Sequence, residues 1–426
     1  MPASPLGELT DWQRTAADAA LLARAADAAP GDANAIARLR RLFPSEHVRI
    51  ALLIAEARRK LARKFPPELA ERFVADPEGA EMASSHAAAT HKAGRFRRLA
   101  PAAPVLDLCC GVGADALALA AAGRNFTAVD LDPVRAWMAG TNAGCPAVSA
   151  EATDAARASS PGAAHIDPAR RSDGRRRTRL ADLRPDPAAL RTILDRFEAC
   201  CVKLGPGVEI EDLRADLLPP GRPHELEVLS ESGRLTQALL WTGPLASPDP
   251  HPHRATLLPS GETIAGPARL EGETTGGSLG AFLLAVDPAV ERARQLWTLA
   301  EAVGAVPVHP RLGLLAADAE IHTPFAATFA VLEDLPWNER RVKAALSALG
   351  GGVVEVKTRD GLVDPDTLQT RLRGAGDRRL TLFVLRFDRS PRAIVCERLA
   401  RRAPAAPAPT TPAARQTGGR GHLRAD

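Results

Sequence analysis

The sequence predicts an α/β fold in which a mainly parallel sheet is closed by an antiparallel hairpin. An apolar run, 103–108, leads into a turn with two glycines, and an alanine-rich run, 116–122, follows, which indicates a strand, a turn and a helix. Three further short apolar runs, each followed by an acidic residue, continue the alternation of strand and helix. Residues 225–229 and 236–241 flank a Ser-Gly turn and predict the hairpin.

The length of 426 residues and the apolar fraction of 45% allow two or three domains with sizeable cores. Apolar residues at helical spacing predict helices over 12–28, 46–65 and 287–303. The last residues are rich in Pro, Ala, Thr, Gly and Arg, a composition that cannot bury a core. The predicted organisation is an N-terminal helical region (1–98), a cofactor-binding domain (99–245), a connecting segment (246–327), an α+β domain (328–400) and a disordered tail (401–426).

Asp107, Gly111 and Gly113 mark the glycine turn as a candidate cofactor site. The backbone of a Gly-x-Gly turn can pass close to a ligand because neither glycine has a Cβ, and the next helix directs its free N–H groups into the same space. The spacing to Ala116 also fits the dinucleotide fingerprint G-x-G-x-x-G/A. Asp107 suits a cationic amino-acid moiety and would repel a pyrophosphate. Glycines at such a turn also occur for packing alone.

Acidic residues near the ends of the next two strands are candidate contacts to a nucleoside. Residues 124–129 predict the second strand, and Asp130 at its tip is placed to accept hydrogen bonds from two ribose hydroxyls. Asp132 and Pro133 then begin a helix as N-cap and first helical residue. Asp154 lies where a third strand should end, and it can accept a hydrogen bond from an adenine amine.

The candidate catalytic residue is Asp167, at the carboxyl end of a short fourth strand, 163–166. Ligands of open α/β sheets lie beyond these strand ends, so we expect Asp167 to face the same crevice as the glycine turn. Pro168 restricts Asp167 to extended geometry and thereby sets the direction of its carboxylate. The alternative is an ordinary Asp-Pro turn at the end of a strand.

An arginine-rich segment directly follows the candidate catalytic turn. Residues 170–184 contain seven arginines and only two aspartates. Such runs are often solvated loops, but arginine forks at this place would suit the phosphates of a nucleic acid. Gly174 would make the segment mobile, so it could also act as a lid.

The motifs around the turn resemble those of class I S-adenosylmethionine-dependent methyltransferases. The turn 107–113 resembles their first motif, D-L-x-x-G-x-G, and Ala-Val-Asp-Leu-Asp-Pro at 128–133 resembles the second. The resemblance implies a Rossmann-like methyltransferase sheet of five βα units closed by a hairpin, whereas dinucleotide dehydrogenases more often close with a sixth parallel strand. It implies S-adenosyl-L-methionine as cofactor, bound by Asp107, Cys109, Gly111, Gly113, Asp130, Leu131 and Asp154.

The strand end at Asp167 resembles the D-P-P-aromatic motif of amino-directed nucleic-acid methyltransferases. Ala169 replaces the second proline and Arg170 replaces the aromatic residue; an arginine plane can also stack on a base. Residues 84–96 are similar to the segment before the cofactor motif in the trimethylguanosine synthase group of N2-guanine methyltransferases, although a capped surface helix is equally open. These resemblances imply catalytic roles for Asp167, Pro168 and Arg170, and substrate contacts for Thr90, Lys92, Arg171, Arg175 and Arg176.

Residues 328–400 resemble the THUMP-like domain that is attached to a group of bacterial methyltransferases. Alternating strand and helix patterns predict an α+β module, and five basic residues give it a charged face: Lys343, Lys357, Arg359, Arg371 and Arg373. THUMP domains proper bind RNA, so the resemblance implies RNA, either tRNA or rRNA, as partner. The alternative is a module that completes the fold or dimerises.

Composition narrows the remaining possibilities. A net charge of +4 permits nucleic-acid binding without requiring it. No apolar run is long enough for a membrane helix, the N-terminus lacks a signal pattern, and the six cysteines show no metal-binding spacing. We therefore expect a cytoplasmic enzyme without metal. A methyltransferase for a small molecule or a protein, or a non-catalytic RNA-binding protein, remain the alternatives.

Overall fold

The computed structural model describes residues 5–160, 162–170, 180–208, 210–218, 221–248, 253–266, 268–269, 279–308, 312–358, 361–387 and 390–400. These residues form an N-terminal set of helices, a nine-stranded sheet, a seven-stranded sheet and a two-stranded ribbon. The predicted α/β fold class is confirmed.

Among the described residues seven helices precede the first strand, and side-chain caps fix the starts of four of them. They are α1 (Pro5–Ala17), α2 (Ala19–Ala26), α3 (Ala33–Leu42), α4 (Ser45–Leu61), α5 (Pro67–Ala70), α6 (Pro77–Met82) and α7 (His86–Leu99). Asp18, Asp32, Asp76 and Ser85 accept hydrogen bonds from backbone amides in the first turns of α2, α3, α6 and α7. The single helix predicted over 12–28 is wrong, because Asp18 begins a new one.

The next part of the chain alternates strands and helices. Its strands are β1 (Val105–Leu108), β2 (Phe126–Asp130), β3 (Ala147–Ser149), β4 (Ala163–Ile166), β5 (Ala169–Arg170), β6 (Leu183–Arg184), β7 (Ala199–Leu204), β8 (His224–Glu231), β9 (Arg234–Thr242), β10 (His253–Leu258) and β11 (Thr263–Gly266). Its helices are α8 (Ala114–Ala121), α9 (Pro133–Ala143), α10 (Ala152–Ala158), α11 (Pro187–Arg196) and α12 (Ile210–Asp216).

The nine-stranded sheet has the order β11-β10-β8-β9-β7-β4-β1-β2-β3. Strands β1, β2, β3, β4 and β7 are parallel, and the β8–β9 hairpin joins β7 through antiparallel pairing of β9. This is the predicted sheet closed by a hairpin. The two strands β10 and β11 extend it further, with β10 parallel to β8. The separate ribbon pairs β5 with β6 directly after the candidate catalytic turn.

The seven-stranded sheet has the order β13-β14-β12-β15-β18-β17-β16. Its strands are β12 (Phe282–Val286), β13 (Val306–Pro307), β14 (Leu314–Ala317), β15 (Ala326–Pro336), β16 (Gly351–Thr358), β17 (Arg378–Phe387) and β18 (Ser390–Arg398), and its helices are α13 (Pro288–Arg292), α14 (Leu296–Val303), α15 (Glu339–Ala348) and α16 (Pro365–Leu372). The helix predicted over 287–303 is divided into α13 and α14, because Arg294 between them has a positive φ of 57°. No helix among the described residues is both long and apolar enough to cross a membrane.

The segment 246–327, predicted to connect two domains, contributes to both sheets. It supplies β10 and β11 to the first sheet and β12, β13 and β14 to the second. Val228 and Ala255 of the first sheet share one apolar cluster with Leu284 and Leu315 of the second, and α13 and α14 belong to the same cluster. The two sheets are thus joined by a common core.

Candidate active site at the carboxyl ends of the parallel strands

Three residues of the turn after β1 adopt a left-handed backbone: Cys109 (φ 58°), Gly111 (φ 55°) and Gly113 (φ 82°). A Cβ on Gly111 would meet nothing within 4 Å, so the turn leaves open space there. A Cβ on Gly113 would lie 2.6 Å from the Cα of Ala139, so this glycine allows the close approach of α9. Left-handed backbone at a non-glycine residue such as Cys109 is strained, and such strain clusters at ligand sites.

Asp130, at the end of β2, is fixed by the glycine turn. Its Oδ2 accepts a hydrogen bond from the Gly111 amide at 2.9 Å, and its Oδ1 accepts one from the Asp132 amide at 3.0 Å. Burial raises the pKa of Asp130 above its ordinary value, although both amides oppose that shift. Each carboxylate oxygen keeps a further lone pair. Asp130 can therefore hold the turn and still accept hydrogen bonds from two hydroxyl groups.

The residues around the turn fit the cofactor that the sequence motifs imply. Open space over Gly111 admits a ligand, Asp130 offers fixed acceptors for a ribose, and the neighbouring Leu131 is 64% exposed and offers an apolar contact. Asp154 lies in the first turn of α10, beyond the end of β3 at Ser149, with its side chain 69% exposed and paired with Arg157. Its adenine contact stays a prediction.

A row of buried polar side chains lies beneath the turn. The Asp107 carboxylate is fully buried, with Oδ1 2.7 Å from Nδ1 of His165 on β4. Nζ of Lys92 on α7 lies 3.3 Å from His165 Nε2 and 2.7 Å from an oxygen of Asp115 on α8. Burial raises the pKa of Asp107. Burial also acts to raise the pKa of Asp115, but Lys92 and His165 outweigh this effect and hold that pKa well below its usual range. The row ties α7, α8, β1 and β4 together.

Two residues of this row, Lys92 and Asp107, were predicted to contact ligands, and both are buried. Lys92 was predicted to contact substrate, but it is only 2% exposed and its ammonium neutralises Asp115, so that prediction is corrected: Lys92 is a core residue. Oδ1 of Asp107 is hydrogen-bonded to His165, while its Oδ2 is buried without a hydrogen-bond partner among the described residues. Because Asp107 is itself fully buried, its predicted contact with a cationic group stays a prediction. Thr90, also predicted to contact substrate, is exposed on α7.

Asp167 lies where β4 ends, beside β1. Its backbone amide donates to the Leu108 carbonyl at 3.1 Å, which places it next to the start of the glycine turn. Its side chain is 29% exposed, and its Oδ2 lies 2.6 Å from the ammonium of Lys203 on β7. Pro168 is buried behind it. The glycine turn, Asp130 and Asp167 thus lie at neighbouring strand ends, where the crevice is predicted.

The remaining predicted residues follow directly after this strand end. The backbone of Ala169 and Arg170 forms β5 and pairs with β6, so a short ribbon starts one residue after Pro168. The predicted substrate contacts Arg171, Arg175 and Arg176 lie outside the described residues. Their roles stay predictions.

A second buried charged cluster joins α7 to the hairpin. Both terminal nitrogens of Arg95 donate to Glu225 at 2.9 Å, and one lies 3.3 Å from Glu227. Trp241 Nε1 donates to Glu227 at 2.7 Å, and His91 Nε2 lies 3.0 Å from the other oxygen of Glu227. Burial alone would raise the pKa of Glu227, but His91 and Arg95 outweigh it and hold that pKa well below the usual range. His91 and Arg95, in the segment that resembles the guanine-methyltransferase motif, therefore attach α7 to the hairpin.

Sequence reasoning missed Lys203, Glu225 and Glu227. Each lies within a strand that is otherwise largely buried, and no motif next to it indicates a function. A signal was present nonetheless, because a charged residue in the middle of an apolar strand needs a buried partner.

Comparisons with known proteins bear on the fold and on the family of this chain. The profile described as "THUMP domain-like" matches residues 326–398. An uncharacterized S-adenosylmethionine-dependent methyltransferase, found in two strains of Mycobacterium tuberculosis, is 34% identical over 349 residues, which cover 80% of this chain and 92% of the relative. A crystal structure of a protein from Porphyromonas gingivalis W83, assigned as a methyltransferase, has a TM-score of 0.70 and 18% identity, covering 94% of this chain and 100% of that one.

These findings confirm the enzyme class, the cofactor and the C-terminal domain that the sequence predicted. The identity to the mycobacterial relative runs over most of both chains, and the crystal structure shows the same fold over nearly the whole length. The cofactor is S-adenosylmethionine, and the last domain is THUMP-like. The chain belongs to the S-adenosylmethionine-dependent methyltransferase family.

Proposed function

We propose that the protein methylates an exocyclic amino group of a base in RNA. The observation that carries this proposal is the position of Asp167, whose carboxylate stands at the end of β4 next to the glycine turn. An acceptor there can take a hydrogen bond from an amine while the cofactor lies along the turn. Asp167 followed by Pro168 is also the part of the amino-directed motif that this chain retains.

Asp167 and its surroundings can perform the steps that the chain must contribute. Bound S-adenosylmethionine supplies an electrophilic methyl group, and the bond to nitrogen forms as the bond to sulfur breaks. Asp167 accepts a hydrogen bond from the amine, and this bond turns the lone pair of the amine nitrogen toward the methyl group. The carboxylate also offsets the positive charge that develops on nitrogen and can take up the proton released afterwards. Pro168 keeps the backbone of Asp167 extended.

The cysteines support direct transfer and oppose a covalent route. A covalent adduct with the base would need a thiolate nucleophile. Burial raises the pKa of all six cysteine thiols above the ordinary value: Cys109, Cys110, Cys145, Cys200, Cys201 and Cys396. The two that stand in the glycine turn, Cys109 and Cys110, are therefore neutral at physiological pH.

The THUMP-like domain supports RNA as the substrate. Helices α15 and α16 pack on the same apolar cluster, so their outer surfaces lie on one side of this domain. Arg340, Arg341 and Lys343 on α15 and Arg373 after α16 are exposed on that side. Exposed arginine and lysine side chains bind phosphate backbones. Of the other basic residues predicted here, Lys357 is paired with Glu355, Arg371 is paired with Glu339, and Arg359 lies outside the described residues.

The test is transfer of a labelled methyl group from S-adenosylmethionine to fractionated cellular RNA. Wild type and an Asp195→Ala control should label RNA, since Asp195 is an exposed carboxylate on α11. Asp167→Ala should lose about 100-fold or more of the rate, in the range that a positioned acid–base group contributes.

Other outcomes would overturn the proposal. Label in protein or small molecules, with none in RNA, would favour a different substrate class. Absence of S-adenosylmethionine binding by calorimetry, with RNA bound, would favour a non-catalytic RNA-binding protein.

A further inference from the structure

The ion pair between Asp167 and Lys203 follows from the register of the sheet. His165 on β4 pairs with Cys201 on β7, and both side chains lie on the face that α7 covers. Asp167 and Lys203 are each two residues farther along, so the pleat directs both to that same face. Their charged atoms meet at 2.6 Å, with the side chains 29% and 16% exposed. The pair is thus built at the rim of the crevice.

The N-terminal region fixes the lysine from the other side. Nζ of Lys203 lies 3.5 Å from the carbonyl of Met82, at the end of α6. The ammonium of Lys64 binds the carbonyls of Ala80 and Ala83 at 3.1 and 2.9 Å and also contacts that of Glu81. The chain between α6 and α7 is therefore held by a second lysine. Lys203 has a fixed backbone acceptor as well as its carboxylate partner.

The departure of this chain from the amino-directed motif explains why such an anchor is needed. In that motif a second proline follows the first and stiffens the strand end, but this chain has Ala169 at that position. Alanine leaves its own φ unrestrained, so the turn loses one constraint. An ion pair with one oxygen of Asp167 restores a fixed direction for the carboxylate.

We propose that Lys203 is a positioning residue for methyl transfer. It holds Oδ2 of Asp167 and turns Oδ1 toward the acceptor nitrogen. This inference rests on the proposed function insofar as it assigns Asp167 to orient the acceptor amine. It adds that an N-terminal loop and a lysine on β7 complete the site. Lys203 acts through Asp167 and does not itself contact the reacting atoms.

The experiment compares Lys203→Met, which keeps the length of the side chain without its charge, with Lys203→Arg. Kinetics are measured on the acceptor fraction that wild type labels. We expect Lys203→Met to lower kcat by about tenfold to 100-fold, as displaced catalytic groups do, with the calorimetric affinity for S-adenosylmethionine unchanged within about twofold. Lys203→Arg should recover part of the loss. The double variant Asp167→Ala, Lys203→Met should be no slower than Asp167→Ala alone.

A matched control is Arg49→Met, which removes an exposed basic side chain on α4 that is also paired with a carboxylate, with its Nε 3.0 Å from Glu46. It should leave kcat unchanged. Equal unfolding midpoints for the two Met variants would exclude a general loss of structure as the cause. Wild-type kcat in Lys203→Met, or losses that add in the double variant, would overturn the inference.

Crystal structures of wild type and both Lys203 variants give a result that does not depend on the acceptor. Asp167 should keep its side-chain direction in the Arg variant and leave it in the Met variant. An unmoved Asp167 in Lys203→Met overturns the inference even if no acceptor is labelled. Methylation of a substrate other than RNA, with a displaced Asp167 and a slow Lys203→Met variant, would reject the proposed substrate and leave Lys203 in its role.

Discussion

The nine-stranded sheet buries charged side chains, whereas the seven-stranded sheet buries mainly apolar ones. Apart from histidines, six buried acidic or basic side chains of the described residues lie in the first sheet or pack against it: Lys92, Arg95, Asp107, Asp115, Glu225 and Glu227. Among the described residues from 279 onward, the buried polar side chains are the uncharged Gln295, Thr328 and Thr381. Charged pairs in that part lie at the surface, such as Arg378 with Glu397 and Arg371 with Glu339.

This difference indicates how the two parts are used. A buried charge costs several kcal/mol of desolvation unless it is paired and hydrogen-bonded, so a fold whose only need is stability gains little from it. The first sheet places its charges next to the glycine turn, β4 and the hairpin, where they hold Asp107 and α7. The second sheet has an ordinary apolar core and carries its charged pairs at the surface.

The largest expected effect is on stability. Arg95→Met should destabilise the protein by about 3–5 kcal/mol, because it removes the buried cation that Glu225 and Glu227 share and leaves Glu225 with Arg254 and Glu227 with His91. The surface control Lys357→Met should cost at most about 1 kcal/mol. Chemical unfolding followed by circular dichroism measures the stability of both variants. Similar losses in both variants would remove the contrast between the sheets.

A smaller effect is expected on cofactor binding. Asp130→Ala should weaken S-adenosylmethionine binding by about tenfold or more, since it removes charged hydrogen bonds of about 1.5–3 kcal/mol. The variant also frees the Gly111 amide, which Asp130 holds at 2.9 Å. Calorimetric titration beside Asp195→Ala is the measurement. Equal affinities of the two variants would contradict the ribose role of Asp130.

Acid sensitivity should come from the first sheet. The pKa of Glu227 is held well below its usual range in the folded protein, so its contribution is present above the unfolded value of about 4.3 and is lost as pH falls below it. Each proton taken up on unfolding changes the free energy of unfolding by about 1.4 kcal/mol per pH unit. Unfolding midpoints between pH 3 and 6 should fall less steeply in Glu227→Gln than in wild type. Glu397→Gln, at the surface, should keep the wild-type slope.

The smallest effects should come from the outer surface of the second part. Replacing Arg341 and Lys343 on α15 by alanine should weaken RNA binding several-fold and lower the slope of log affinity against log salt by about one per residue. Stability and cofactor affinity should not change, because both side chains are exposed. Filter binding over a salt series measures the slope. An unchanged slope would mean that RNA, if bound, uses another surface.

Sequence patterns predicted the parts of the fold that depend on local chemistry. The glycine turn, the hairpin and the strands of the last domain follow from glycines and apolar alternation within short windows. The breaks at Asp18 and Arg294 were missed because apolar spacing continues across both sites while capping and backbone conformation change. The strands β10 and β11 were hidden in a proline-rich segment.

The site was predicted only where its residues adjoin a motif. Asp130 and Asp167 stand at strand ends, which a sequence can reveal. Lys203 is 36 residues from Asp167 and becomes its partner only through the register of β4 and β7. Lysine is usually a surface residue. The burial of Lys92 depends on Asp115 and His165, which come from two other elements.

The most direct test of the account is the identity of the methylated nucleoside. RNA treated with wild type or with Asp167→Ala can be digested and analysed by mass spectrometry. We expect a nucleoside methylated on its exocyclic nitrogen with wild type and a strong loss of that product with Asp167→Ala. Methylation on ribose or on a ring carbon, or equal product from both proteins, would contradict the role of Asp167 as the group that orients an amine.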